Sequence, residues 1–339
     1  MRSLWHLARP AGAWAAPALP LLGYGWAHWD RAIAAWNLPA LPWVLAAWLA
    51  LQTGTLWLNA ARDRDCGEVL FGRTVPVPPH TTTASLIALM LSVMLAMVAH
   101  PVAGLCAAGA AVLSLLYSHP RSAWKAHPLG GPVVNVLGYG LLSPAAGYAL
   151  AETPVTARTL VIAIMMCLTI LGWYYAAQAF QQKEDQARGD LTLVAMHGPM
   201  VTLRITRVCQ GLVAALLVIL CLSGWLPRIA LATTPLFLWL DRFLALWQRQ
   251  PNGGNEAWAR GLAGRSTAVL IALLAVVALD YTWATISDNP VAGLGTAAGL
   301  PYDRNANPPS RQGPLDMTAR RTSGVPYAPA TVTSVAYPP

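Results

Sequence analysis

Long uncharged runs constrain this chain more than any other feature. Residues 41–58 read LPWVLAAWLALQTGTLWL, 18 residues without a charge. Eight further runs of similar character follow or precede it. Together the nine expected spans cover 11–28, 38–58, 82–99, 101–118, 129–150, 157–181, 201–225, 229–248 and 266–287. At about 1.5 Å per residue, roughly 20 apolar residues cross about 30 Å of hydrocarbon. Backbone N–H and C=O groups in lipid must be satisfied within the segment, so these spans are expected as helices. Strong period-2 alternation, the mark of a membrane β-barrel, is absent. The sequence therefore predicts an all-α polytopic membrane protein.

Composition agrees. Of 339 residues 56% are hydrophobic and 11% charged, with a mean hydropathy of +0.47. Soluble domains carry about 25% charged residues. The net charge of +8 is spread between apolar runs, which fits loops beside an anionic leaflet and argues against a nucleic-acid partner. Cys66, Cys106, Cys167, Cys209 and Cys221 show no CxxC spacing, and four lie in apolar runs, so free thiols are expected rather than a disulfide or zinc framework. Basic residues precede the first run, as in a signal peptide, but its length and the spans behind it favour a retained helix.

The loops fall into two alternating sets. One holds Arg2 and Arg9; Arg62, Arg64 and Arg73; Arg121 and Lys125; Lys183, Arg188 and Arg204; Arg249, Arg260 and Arg265. The other holds Arg31, Arg158 and Arg228. The positive-inside rule makes the first set cytoplasmic, with the N-terminus inside and the C-terminus outside, in what is expected to be a bacterial inner membrane. Residues 1–287 form the expected transmembrane domain. Residues 288–339, rich in Pro, Ser, Thr and Ala, lack apolar periodicity and are expected as a disordered tail.

Three polar clusters share the inside face. The first, NAARDRDCGE over 59–68, places Asn59 and Asp63 four apart on one helical face. Hard oxygen ligands at that spacing suit Mg²⁺. The second, QAFQQKEDQARGDLT over 178–192, was expected to present Gln178, Gln181 and Asp185 on roughly one face. The third, YSHPRSAWK over 117–125, brings cations. Charges beside membrane helices ordinarily mark the interface and set topology. Two acidic clusters and a basic one on one face also fit Mg²⁺ and a diphosphate held between them. His80 and His197 read as solvated loop histidines, and no general base is assignable.

These residues resemble the UbiA superfamily of intramembrane prenyltransferases. The resemblance spans about residues 10–287 and rests on Asn59, Asp63-Arg64 and RTVPVP; on Glu184, Asp185, Gly189 and Thr192; and on LLYSHPRSAWKAHPLGG followed by Asn135 and Gly138. Ala60, Gly67, Gln178 and Gln181 stand where the family usually keeps aspartate. The resemblance implies a nine-helix bundle and Mg²⁺-dependent transfer of a prenyl group from a prenyl diphosphate to a lipophilic or aromatic acceptor, such as a quinone precursor, pigment or lipid. It assigns Asn59, Asp63, Asp65, Glu68, Glu184 and Asp185 to metal, with Asp63 and Asp185 central to catalysis. It assigns Arg73, Arg121, Lys125, Gln178 and Gln181 to the diphosphate and its ions. Trp173, Tyr174 and Tyr175, and more distantly Tyr139, offer aromatic faces to an allylic cation or simply pack the bundle. A membrane terpene cyclase, a non-catalytic isoprenoid- or quinone-binding protein and a transporter are the competing readings.

Overall fold

The computed structural model describes residues 2–13, 15–27, 39–63, 70–72 and 75–286. Among them every regular element is helical. The chain runs through α1 (Arg2–Leu7), α2 (Ala15–Ala27), α3 (Leu41–Asp63), α4 (Thr81–Ala99) and α5 (Pro101–Ser118). Next come α6 (Gly130–Asn135), a π-helical stretch (Val136–Leu142) and α7 (Ser143–Ala149). Then follow α8 (Ala157–Gln178), α9 (Gln182–Arg188), α10 (Leu193–His197), α11 (Pro199–Leu222), α12 (Thr234–Trp247) and α13 (Glu256–Ile286). The expected boundary at 287 and the tail beyond it lie outside the described residues.

Seven of the described helical segments, one of them α12 together with the 3₁₀ turn Arg228–Thr233 that leads into it, are long and apolar enough to cross a membrane. The other two expected spans take different forms. Helix α2 has 13 residues and carries Pro20 inside it. The 129–150 span is not one α-helix but α6, a π segment and α7 in series. A π-bulge widens the turn and re-aims the side chains beyond it, and such bulges concentrate at functional sites. Helix α13 begins about ten residues before its expected span, so Arg260 and Arg265 lie within a helix rather than a loop. Arg265 is boxed there by Phe243 and Trp239, its guanidinium 3.9 and 5.0 Å from their ring centroids.

Helix ends are set by local chemistry. Pro101 opens α5, and His100 Nδ1 accepts from Val102 N at 3.2 Å, making the tight α4–α5 turn. Thr156 and Thr159 form a reciprocal capping box at the start of α8.

Small residues and buried polar atoms join the helices beside apolar clusters such as that around Val44, Trp48 and Leu89. Outward faces carry Met90, Met94, Leu105, Val208 and Leu238, all exposed, as lipid contact requires. Inward, Ser85 Oγ donates to Gly54 O at 2.7 Å, joining α4 to α3, and Thr206 Oγ1 donates to Gly172 O at 2.9 Å, joining α11 to α8. The tightest approach is α2 on α7. A Cβ on Gly23 would meet the Pro144 carbonyl, and one on Gly147 would meet the Pro20 carbonyl. Neither carbonyl can retreat without moving a helix. Gly147→Leu is therefore expected to destabilise the detergent-solubilised protein by about 1–3 kcal/mol, the usual range for overpacking. An unchanged melting temperature would show that α2 and α7 do not depend on this contact.

Candidate functional site at the polar end of the bundle

The second polar cluster is not one helical face. Helix α8 stops at Gln178, a turn closed by Gln181 N donating to Gln178 O at 2.9 Å intervenes, and α9 starts at Gln182. The Ala179 carbonyl just past the end of α8 is packed against Gly253, where a Cβ would collide with it, and Trp247 Nε1 donates to Gly253 O at 2.8 Å. This contact lies beside the Trp247, Leu203 and Leu244 core. Gln178 ends up buried, its Nε2 donating to the Tyr174 hydroxyl at 2.8 Å while Oε1 finds no partner among the described residues. Gln181 sits at the turn before α9, half-buried.

Helix α9 gathers its charges around one guanidinium. Arg188 Nη2 donates to Asp185 Oδ1 at 2.7 Å, Nη1 to Glu184 at 3.1 Å, and Nε to Asp190 at 2.9 Å. Asp185 is buried, with its second oxygen accepting from Thr192 Oγ1 at 2.7 Å. Burial pushes the Asp185 carboxyl above its usual range, opposed by Thr192 and Arg188. Gly189 at φ 76 turns the chain back after α9, which lets Asp190 reach the same guanidinium. Thr192 then caps α10 by accepting from Ala195 N.

Lys125 joins this cluster from a different loop. It lies in the short turn Trp124–Ala126, and Leu191 N donates to Ala126 O at 2.8 Å, pinning that turn to the chain beyond α9. Burial lowers the Lys125 ammonium to about pKa 8; Arg188 adds to the shift, while Asp190, Asp185 and Glu184 oppose it. Arg121, in the same loop, is exposed.

The end of α3 meets the end of α5. Ser118 Oγ lies 3.5 Å from Asn59 Oδ1, a long contact. The adjacent Tyr117 stands near Asn135 and within electrostatic reach of Asp185, Tyr139 and Arg9. Deeper, the Tyr139 hydroxyl donates to Gln52 Oε1 at 2.7 Å. A polar column thus runs inward from the cluster, on α3, α5, α6, the π segment and α8. Tyr174 and Tyr175 are buried, their rings edge-on at 5.5 Å, with the Tyr174 hydroxyl against Gly131.

The structure brings together Asn59, Lys125, Gln178, Gln181, Glu184 and Asp185 at one end of the bundle. Asp63 is the last residue of α3, one helical turn beyond Asn59. Asp65, Glu68 and Arg73 lie outside the described residues, as do Gly67 and Cys66. The other four cysteines are free thiols. His80 and His197 are exposed. Two residues were not singled out for the site from sequence. Arg188 sat unremarked inside the second cluster. Arg9 looked like a topology charge, yet its guanidinium donates to Leu70 O at 3.4 Å and its charge reaches Tyr117 and Tyr139. Only the fold carries a residue of the first turns to that place. Phe71 N, bonded to Glu256 Oε1 at 3.0 Å, fixes the 70–72 segment on the start of α13.

The donor set suits a hard cation unevenly. At the α3 end the Asn59 amide oxygen and the Asp63 carboxylate are of the type Mg²⁺ takes. At the α9 end the Asp185 oxygens are already occupied by Arg188 and Thr192. Among the described residues no three His, Cys, Asp or Glu side chains are arranged to hold one metal ion.

Comparisons with known proteins follow this geometry. The profile of the UbiA prenyltransferase family matches residues 73–260. A search of curated proteins finds no match. Among solved structures, a UbiA homolog from Archaeoglobus fulgidus bound to GPP and Mg²⁺ superposes with a TM-score of 0.61 at 16% identity, covering 81% of this chain and 99% of that one. An apo UbiA homolog from Aeropyrum pernix K1 gives 0.57 at 18% identity over 79% and 98%. A digeranylgeranylglyceryl phosphate synthase gives 0.55 at 15% identity over 82% and 97%. At these identities the likeness concerns the fold.

Proposed function

Because the chain belongs to the UbiA prenyltransferase family, we propose that it transfers a prenyl group from a prenyl diphosphate to a lipophilic or aromatic acceptor within the membrane. The observation that carries this reading is the meeting of Lys125, Arg188 and the α9 carboxylates at the polar end of an apolar bundle. A prenyl diphosphate has the same division: a multiply charged head and a hydrocarbon tail. The solved relatives are described with GPP, DMAPP and Mg²⁺.

Mg²⁺ bound at the α3 end would neutralise the leaving diphosphate as the allylic C–O bond breaks. Asn59 and Asp63 are the residues to hold it. Lys125 and Arg121 bind the diphosphate oxygens from the α5–α6 loop, and Arg9 approaches from the N-terminal turn. Burial of Lys125 strengthens its attraction for an anion, since little solvent screens it. Tyr174 and Tyr175 line the way inward, where aromatic faces favour a developing allylic cation. The Tyr139–Gln52 pair gives the acceptor a hydrogen-bonding partner at depth. The site faces the cytoplasm in this reading, as the distribution of Arg and Lys requires.

The test uses membranes carrying the full chain, labelled geranyl, farnesyl and geranylgeranyl diphosphates, Mg²⁺ and a panel of aromatic and lipid acceptors. The expected result is Mg²⁺-dependent release of diphosphate with a prenylated acceptor, lost in Asp63→Ala. Cyclic products formed without acceptor would point to the cyclase reading. Tight binding of every donor with no release would point to a binding protein.

A further inference from the structure

We propose that Arg188 takes the place of a second metal ion, so that this chain binds its donor with a single divalent cation at the α3 end. The inference rests on the prenyl-transfer reading above and concerns how the charge of its site is built. Three observations carry it.

The first is occupancy. The Arg188 guanidinium contacts Asp185, Glu184 and Asp190 with separate nitrogens at 2.7, 3.1 and 2.9 Å. Those are charge-assisted hydrogen bonds. A metal ion at this cluster would have to displace the guanidinium from them. Asp185, the most buried of the three, has both oxygens engaged, because Thr192 donates to the other at 2.7 Å.

The second is charge. The three carboxylates face Arg188 and the nearby Lys125. Among the described residues these two cations already offset most of the charge of the three carboxylates. The residues one turn back, Gln178 and Gln181, are neutral amides and add none. Gln178 is moreover committed to Tyr174.

The third is rigidity. The Arg188 backbone is held between α9 and Gly189, whose amide bonds back to Asp185 and Gln186, and Asp190 N returns to Asp185 O at 2.9 Å. This glycine cap closes the end of α9 and brings Asp190 back to the guanidinium that Asp185 and Glu184 already hold.

Counting bound ions tests this directly. Purified full-length protein in nanodiscs is titrated with Mn²⁺ in the presence of geranyl S-thiolodiphosphate, and bound Mn²⁺ is read by electron paramagnetic resonance. The expected count is one ion per chain, with one again in Arg188→Lys and two in Arg188→Gln, where the carboxylates are released to a metal. Two ions in the wild type would overturn the inference while leaving prenyl transfer intact. One ion in Arg188→Gln, with a wild-type melting profile, would also overturn it, because the guanidinium would then not be what excludes the second. No ion in any variant would overturn both this inference and the metal-dependent reading beneath it. If Arg188→Gln does not fold, the wild-type count still decides.

Discussion

Asp185→Asn is expected to lower diphosphate release by at least about 100-fold while leaving the fold in place. Asp185 is the buried member of the α9 cluster, and its carboxylate aligns Arg188 through a 2.7 Å bond. Asparagine keeps the shape and one oxygen for Thr192 but removes the charge. Arg188 retains Glu184 and Asp190, so no guanidinium is stranded; the larger penalty of a buried unpaired charge is avoided. What is lost is a fixed orientation of charge at the leaving group, and removing one preorganised group of that kind costs about 10²–10³ in rate. The check is initial-rate release of diphosphate at saturating donor, together with melting of the same preparation. Wild-type turnover in Asp185→Asn would take the α9 cluster out of the catalytic site.

Donor affinity is expected to fall with alkaline pH, about tenfold per unit once pH exceeds about 8. Burial holds the Lys125 ammonium at about 8 rather than its ordinary 10.5. The charged groups around it include Arg188, Asp190, Asp185 and Glu184. Below pH 8 Lys125 is charged and attracts the diphosphate; above it the cation is progressively lost. The sign for stability is opposite. Between 8 and 10.5 the folded chain binds fewer protons than the unfolded one, so this group makes the fold more stable as pH rises. Weaker binding over that window is thus not unfolding. Lys125→Arg should flatten the pH profile, since arginine stays charged, and Lys125→Gln should bind weakly at every pH. A wild-type affinity flat from pH 7 to 10 would remove Lys125 from the diphosphate contact.

Much of this protein was legible because lipid imposes strict rules on a chain. Scarce charge and long apolar runs fix helices, since no other element satisfies its backbone there. Seven spans follow directly. The 129–150 run looked equally helical, and its π segment is invisible to hydropathy, which counts apolar residues and not hydrogen-bond register. Arg265 was placed in a loop because a charge normally ends a span; Phe243 and Trp239, distant in sequence, supply the faces that let it lie inside a helix.

The same division holds at the candidate site. Sequence spacing was enough to put Asn59 and Asp63 on one face, because α3 runs unbroken to Asp63. It failed for Gln178, Gln181 and Asp185, because α8 ends at Gln178 and a turn separates it from α9, and the carbonyl in that turn packs on Gly253, some seventy residues away in the chain. The sequence by itself determined the solvent this protein lives in, its helices and the chemical types collected at their ends. Which charges meet was decided by the tertiary structure: Arg188 among three carboxylates, Lys125 beside them, and Arg9 brought to the tyrosines. Helix periodicity is a local property and can be read in a window. Charge pairing is a property of distances between elements, and those exist only after the small residues have let the helices close.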